Sequence, residues 1–164
     1  MMNVLTLKSL AECRGTKNGV SLDTNVMKLI CDGNSNLANA LTCRLNLHDV
    51  KVMVNSKSIE EMEKLGYDQD VVYHHLSKYF SHVELMEITH DMLLTVSELR
   101  QKCPTLHSGD DEILAFTIMT NSVLITCDKG LLVAAKIQKV QSVNPNVIHT
   151  TYEIPNWNRI MVAN

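Results

Sequence analysis

Three aspartates of this 164-residue chain occupy comparable places in their local sequence: Asp23 closes the apolar run begun by Val20, Asp128 follows Val123-Leu124-Ile125-Thr126, and Asp110 opens a long apolar stretch. A fourth acid, Glu61, lies between Ile59 and Met62, near what would be the buried side of a helix, although a rotation of one position would present Glu60 instead. Taken singly, each has an ordinary explanation, because helix starts favour acids through the macrodipole and aspartate is a common turn residue after a strand. Gathered at one edge of a sheet, they would repel and resist joint ionisation. Hard divalent cations relieve that repulsion: Mg2+ prefers oxygen ligands, takes one or a few carboxylates and keeps several waters. A pair of such ions stabilises both the attacking and the leaving oxygen of an in-line phosphoryl displacement. The chemistry these residue types suggest is metal-assisted phosphodiester hydrolysis.

The elements that must position the acids can be read from the surrounding residues. Asp110 and Asp128 are 18 residues apart, which a helix running out and a strand running back would close. Ser108 is a suitable N-cap, Asp111 stands where a capping-box acid reaches back, and Ile113 through Met119 surround the helix axis, which predicts a buried helix ending at Asn121 and Ser122. Val123-Leu124-Ile125 suits a strand covered on both faces, and ligands of open α/β sheets bind beyond the carboxyl ends of such strands, where Asp128 falls. Val20 onward predicts a first strand ending in Asp23, and Val50–Val54 a second; Ser56 or Ser58 would cap the helix carrying Glu61. Further helices are expected over Leu37–Leu47, Asp68–His82, His90–Lys102 and Leu131–Val140, with an edge strand at Leu85–Ile88 and a last strand at Val147-Ile148. Strands alternating with helices predict an α/β fold with a mainly parallel sheet. One domain is expected over residues 20–150, after an extension at 1–19 and before a polar tail at 151–164.

A hydrophobic content of 45% with 20% charged residues is ordinary globular composition and gives no reason to divide the chain. The absence of a ~20-residue apolar run and of a signal-peptide pattern predicts a cytoplasmic protein with no membrane partner. Five scattered cysteines without a C-x-x-C pair suggest buried thiols, not disulfides or a zinc site. The net charge of −3 is no bar to a polyanionic partner, because committing four of the 18 acids to cations leaves 14 against 15 basic residues. Lys57 and Lys129 are candidate phosphate contacts as point charges. Cys127 reads as packing, and His74, His75 and His82, expected on one helix, as surface groups. Leu76, Tyr79, Phe80 and Leu85, with the His90 helix, could leave an apolar patch for a homodimer.

The four acidic segments, SLDTNV, SIEEM, SGDDEILAF and LITCDKGL, resemble in order the motifs of PIN-domain nucleases, including toxin ribonucleases of the VapC type, from about Val20 to about Ile148. The resemblance implies a three-layer α/β/α sandwich and a Mg2+- or Mn2+-dependent endoribonuclease, a hydrolase acting on RNA and, in the toxins, paired with an antitoxin protein. It places the family's first acid on Asp23, with Asn25 as its polar companion, and its helical glutamate on Glu61. The third falls on Asp110, because Ile113-Leu114-Ala115 follows at the family's offset, and the fourth on Asp128, preceded by Thr126. Asp111 or Glu112 could supplement or replace Asp110. Alternative readings are a non-catalytic RNA- or protein-binding module of the same fold, or a housekeeping RNA-processing nuclease. A phosphatase of the haloacid dehalogenase type is disfavoured, since it needs a second aspartate where Asn25 stands.

Overall fold

The computed structural model of the chain describes residues 17–147, apart from residues 46, 105, 107 and 108. Among them, the strands β1 (Val20–Leu22), β2 (Val52–Asn55), β3 (Val83–Met86), β4 (Val123–Ile125) and β5 (Ser142–Val143) form one sheet in the order β3-β2-β1-β4-β5, every neighbouring pair parallel. The helices are α1 (Thr24–Cys31), α2 (Ser35–Asn39), α3 (Ser56–Lys64), α4 (Gln69–Ser77), α5 (His90–Lys102), α6 (Asp110–Thr120) and α7 (Lys129–Ile137).

The two-residue period of the strands sorts the core into two layers. Val20, Leu22, Val52, Val54, Val123 and Ile125 share one cluster with Val26, Met27 and Ile30 of α1, Ile59 and Met62 of α3, and Val72 and Leu76 of α4. Met53 and Leu124 face the other way and pack with Met92, Val96 and Leu99 of α5, the apolar residues of α6, and Leu131 and Ala134 of α7. The result is an α/β/α sandwich whose sheet is covered on both faces, which is why its strands carry so few polar side chains.

Helix α6 is apolar on nearly every side because it packs against α5, α7, β1 and β4. Its Thr117 and Thr120 hydroxyls bond back to the carbonyls of Ile113 and Phe116 at 2.8 and 2.7 Å. Thr120 also meets Ser122 at 2.8 Å, and Ser122 meets Ser21, so the one polar side chain of β1 is satisfied within the core. The helix ends as expected at Asn121, which takes the left-handed conformation at φ 52°.

Several boundaries differ from those the sequence suggests. The helix expected over Leu37–Leu47 is the short α2 followed by a π-helical segment, Ala40–Arg44, where the Thr42 hydroxyl bonds back to the Ala38 carbonyl at 2.9 Å. Helix α4 stops at Ser77 because the Ser81 amide leaves the helix for the His48 carbonyl at 2.9 Å, so His82 is off the helix and lies 3.8 Å from Glu84. Helix α3 is capped by Asn55, whose Oδ1 accepts from the Ser58 amide at 2.8 Å, not by Ser56 or Ser58. The last strand is Ser142–Val143; Pro145, which has no N–H to offer a ladder, begins a 3-10 turn through Val147, and Ile148 lies outside the described residues. The proposed apolar patch does not form, since Leu76 and Phe80 are core residues and Tyr79 and Leu85 pack against them. Of the elements expected to form it, the His90 helix (α5) does expose Leu93 and Leu94, and α7 exposes Val133 and Ile137. Cys31 and Cys103 are buried as expected, whereas Cys43 is exposed. Among the described residues no helix is long and apolar enough to cross a membrane.

Phe116 has no exposed surface and sits at the centre of the α6 packing. Phe116→Ala should lower the free energy of unfolding by about 3–5 kcal/mol, measured by urea denaturation. A loss below about 1 kcal/mol would contradict the placement of α6 inside the sandwich.

Candidate active site

The chain builds the sheet outward from β1 through β2 to β3, then returns to the other side of β1 for β4 and β5. The crevice beyond the carboxyl ends of β1 and β4 is therefore the topological switch point, the usual ligand position in open α/β sheets. Asp23 and Asp128 flank this crevice. The Asp23 amide donates to the Ile125 carbonyl at 3.0 Å, which ties the two strand ends together.

Asp23 is 6% exposed, and both of its carboxylate oxygens are engaged. Oδ1 accepts from the Thr24 amide at 2.8 Å, capping α1, and Oδ2 accepts from the Thr126 hydroxyl at 2.8 Å. The Thr126 Oγ1 in turn accepts from the Asp128 amide at 3.0 Å, and Asp128 Oδ1 accepts from the Leu131 amide at 3.1 Å, capping α7. Thr126 thus links the first and last acids. Burial pushes the Asp23 carboxyl above its ordinary value; the Thr126 hydroxyl and the Thr24 amide pull it down, and the charges of Asp128 and Glu61 add to the upward push. A hydrogen bond to a charged group contributes about 1.5–3 kcal/mol, whereas burying a carboxylate costs several. At Asp23 burial prevails.

Glu61 comes from the second turn of α3. The Thr24 hydroxyl donates to its Oε1 at 2.8 Å, which fixes it beside the start of α1. Glu60 is exposed and lies 3.9 Å from Lys57 instead, so the helix turns Glu61 and not Glu60 toward Asp23. From the other side, Gly109 brings the start of α6 against Glu61: a Cβ on Gly109 would lie 3.5 Å from Oε2. The φ of +99° there explains the glycine better than the space does. Ser108, the expected cap, lies outside the described residues, and the N-cap position belongs to Gly109.

Within the Gly109–Glu112 segment the three acids have separate surroundings. Asp110 is half-buried at the first position of α6, next to the glycine that abuts Glu61. Asp111 is 1% exposed and turns toward α5, where it pairs with Arg100. Glu112 is half-buried; burial pushes its carboxyl up, Lys57 and Arg100 draw it down, and Asp111 and Glu61 push it up again. Asn25 and Lys129 are exposed beside the site, and Lys57 is half-buried. Neither Thr24 nor Arg100 stood out in the sequence, because a hydroxyl on a helix start and an arginine eleven residues before its partner carry no periodic signal.

The donor set is all oxygen and anionic, and suits a hard cation rather than zinc or copper. Among the described residues no three His, Cys, Asp or Glu side chains stand close enough to chelate an ion by themselves. The fit is to an ion such as Mg2+, which takes one or two carboxylates and completes its shell with water. The N-termini of α1, α6 and α7 also converge here, and their partial positive charge offsets part of the carboxylate repulsion.

Asp23→Asn keeps a partner for both bonds, accepting from the Thr24 amide as before and reversing the Thr126 bond, in which the new amide donates to the hydroxyl oxygen. Because folding raises the Asp23 pKa above 3.8, the charged form opposes folding at pH values above the folded pKa, and that penalty vanishes below 3.8. In EDTA at neutral pH the variant should melt roughly 3 °C or more above the wild type, and the gap should close as the pH falls through the Asp23 range. A variant that melts lower, or a gap independent of pH, would contradict the burial-dominated balance.

Neither a protein-family profile nor a curated protein sequence matches the chain. In three dimensions it is similar to solved toxin–antitoxin complexes. The VapBC2 complex of Rickettsia felis, bound to a fragment of promoter DNA, matches over 76% of this chain and 97% of the other at 16% identity and a TM-score of 0.59. A toxin–antitoxin complex from Klebsiella pneumoniae matches over 82% and 99% at 22% identity and a TM-score of 0.58. FitAcB from Neisseria gonorrhoeae matches over 79% and 99% at 18% identity and a TM-score of 0.55. At these identities the shared property is the fold, and the chain has the PIN-like α/β/α sandwich that its four acidic motifs implied.

Proposed function

We propose that the chain is a metal-dependent endoribonuclease whose active site is the acidic crevice between β1 and β4. The observation that carries the reading is Asp23: a carboxylate buried at the switch point, pinned through both oxygens, with the charges of Asp128 and Glu61 acting on it. Such an arrangement costs stability unless a cation joins it. Asp23, Glu61, Asp110 and Asp128 are the residues that would hold Mg2+ or Mn2+. When bound, these ions neutralise charge on phosphoryl oxygens and make water acidic enough to attack near neutral pH.

The protein's own groups have distinct tasks in this reading. Thr126 and the Thr24 amide hold the Asp23 carboxylate in one orientation, and the Thr24 hydroxyl does the same for Glu61. Asp110 and Asp128 complete the acidic wall from the starts of α6 and α7. Lys57 and Lys129 offer point charges to substrate phosphates, and Asn25 lies on the solvent side of α1. Hydrolysis by this route leaves a 5′-phosphate and a 3′-hydroxyl, as in the family the motifs resemble.

A protein partner is a natural extension, because solved structures of the same fold include toxin–antitoxin complexes. In that extension the chain is a toxin restrained by an antitoxin, and a small DNA-binding protein encoded beside it should relieve growth inhibition on co-expression. A housekeeping RNA-processing enzyme would have the same site but no such neighbour.

The purified chain should cleave defined single-stranded RNAs with Mg2+ or Mn2+ and not with EDTA. Asp23→Asn and Asp110→Asn should each lower the rate by roughly 10²-fold or more, the scale of removing one preorganised electrostatic group. If both variants cut as well as the wild type, the crevice is not catalytic and a binding module of the same fold is the better reading.

A further inference from the structure

Asp111 is almost fully buried, yet both of its oxygens are engaged: Oδ1 accepts from the Glu112 amide at 2.8 Å, and Oδ2 accepts from Arg100 Nε. Its partner is disposed in the opposite way. The Arg100 side chain is 58% exposed, and among the described residues Asp111 is its hydrogen-bond partner. A guanidinium carries five N–H donors in a planar fork. Holding it through Nε fixes the plane of the group and leaves its outer edge available to an acceptor outside the fold. A tie between α5 and α6 needs only the inner edge.

The place of this fork in the molecule suggests what the outer edge meets. It stands beside the first turn of α6, which carries Asp110 and Glu112. Arg100 is tied to Asp111, the residue after Asp110, and Lys57 stands one turn before Glu61 on α3, so each of the two helices bordering the acids carries a cation close to one of them. A polyanion approaching a cluster of carboxylates on a chain of net charge −3 needs local cations to hold it. Of the two, Arg100 is pre-oriented, and a fixed guanidinium matches a phosphate with two parallel N–H bonds.

We infer that Arg100, oriented by the buried Asp111, is a backbone-phosphate contact for the RNA strand on the α5 side of the acidic crevice. The inference rests on the nuclease reading above and names a substrate-binding residue for it. Asp111 in this account is a positioning residue, acting through Arg100.

The test is fluorescence anisotropy of a labelled single-stranded RNA, titrated at salt concentrations from ~50 to ~200 mM. The full chain carries Asp110→Asn as a common background so that the RNA stays intact. Arg100→Gln should weaken binding about tenfold and reduce the salt slope by roughly 0.7, the value for one phosphate contact on a single strand. Arg100→Lys should recover part of the affinity, and Lys136→Gln, on the last turn of α7, should leave the slope unchanged. Arg100→Gln strands a buried carboxylate and could unfold, so the double variant Arg100→Gln/Asp111→Asn, a neutral pair of similar shape, is measured with a thermal melt. A folded double variant with weaker binding and a shallower slope supports the inference. A folded double variant that binds with unchanged affinity and slope overturns it and leaves Arg100 as a structural tie. Absence of any RNA binding by the folded background chain, together with no metal-dependent cleavage by the unmodified chain, overturns the nuclease reading and this inference with it; intact cleavage beside unchanged Arg100 variants overturns the inference alone.

Discussion

The carboxylate of Asp23 is the point on which the rest of the structure turns. It is buried at the carboxyl ends of β1 and β4, its residue's amide bonded to β4 and its two oxygens held by the start of α1 and by Thr126. The bonds from Thr24 and Thr126 favour the charge, and burial opposes it more strongly. A fold stabilised for its own sake would place a neutral side chain here. An aspartate here, with two other carboxylates acting on it, is a charge held at a cost in stability, as expected of a preorganised group in the active site proposed above.

Other features follow from the need to hold charge at that point. Three helices begin around the crevice and direct their positive ends toward it. Asp23 and Asp128 serve as N-caps, so the same carboxylates that build the acidic wall satisfy backbone amides that would otherwise lack partners. Gly109, at a φ that favours glycine, lets α6 start against Glu61. Asp111 uses its charge inward on Arg100, which keeps the start of α6 attached to α5 and separates it from its neighbours Asp110 and Glu112. Asn55 is the exception to this economy: it caps α3 through Oδ1, but its Nδ2 is buried without a hydrogen-bond partner among the described residues.

How much of this was legible in the sequence depends on whether the deciding interaction was local. Val123-Leu124-Ile125 and Val20-Ser21-Leu22 could be read as strands ending in acids, because a short apolar run followed by a polar residue is a local pattern. The buried character of α6 and its end at Asn121 were equally visible. Glu61 could be preferred to Glu60 from its place between Ile59 and Met62, but the contacts that fix the rotation of α3, with the Thr24 hydroxyl and Gly109, are visible only in three dimensions. Asp111 looked like a capping-box acid, whereas its partner is an arginine across a loop. The end of α4 and the position of β5 depart from the periodic pattern for a related reason: Ser81 finds its acceptor at His48, and the strand partner of β4 is set by the ladder to Gln141 and Val143, neither of which leaves a mark on hydrophobic periodicity.

In the proposed function a hydrated divalent cation is held among the acids at the switch point. Paramagnetic broadening of amide signals by substoichiometric Mn2+, followed by nuclear magnetic resonance on the full chain, reads this most directly. Saturable broadening centred on Asp23, Glu61, Asp110 and Asp128, displaced by Mg2+ and lost in Asp23→Asn, is the expected result. Broadening confined to other acidic residues, or none that Mg2+ displaces, would contradict it.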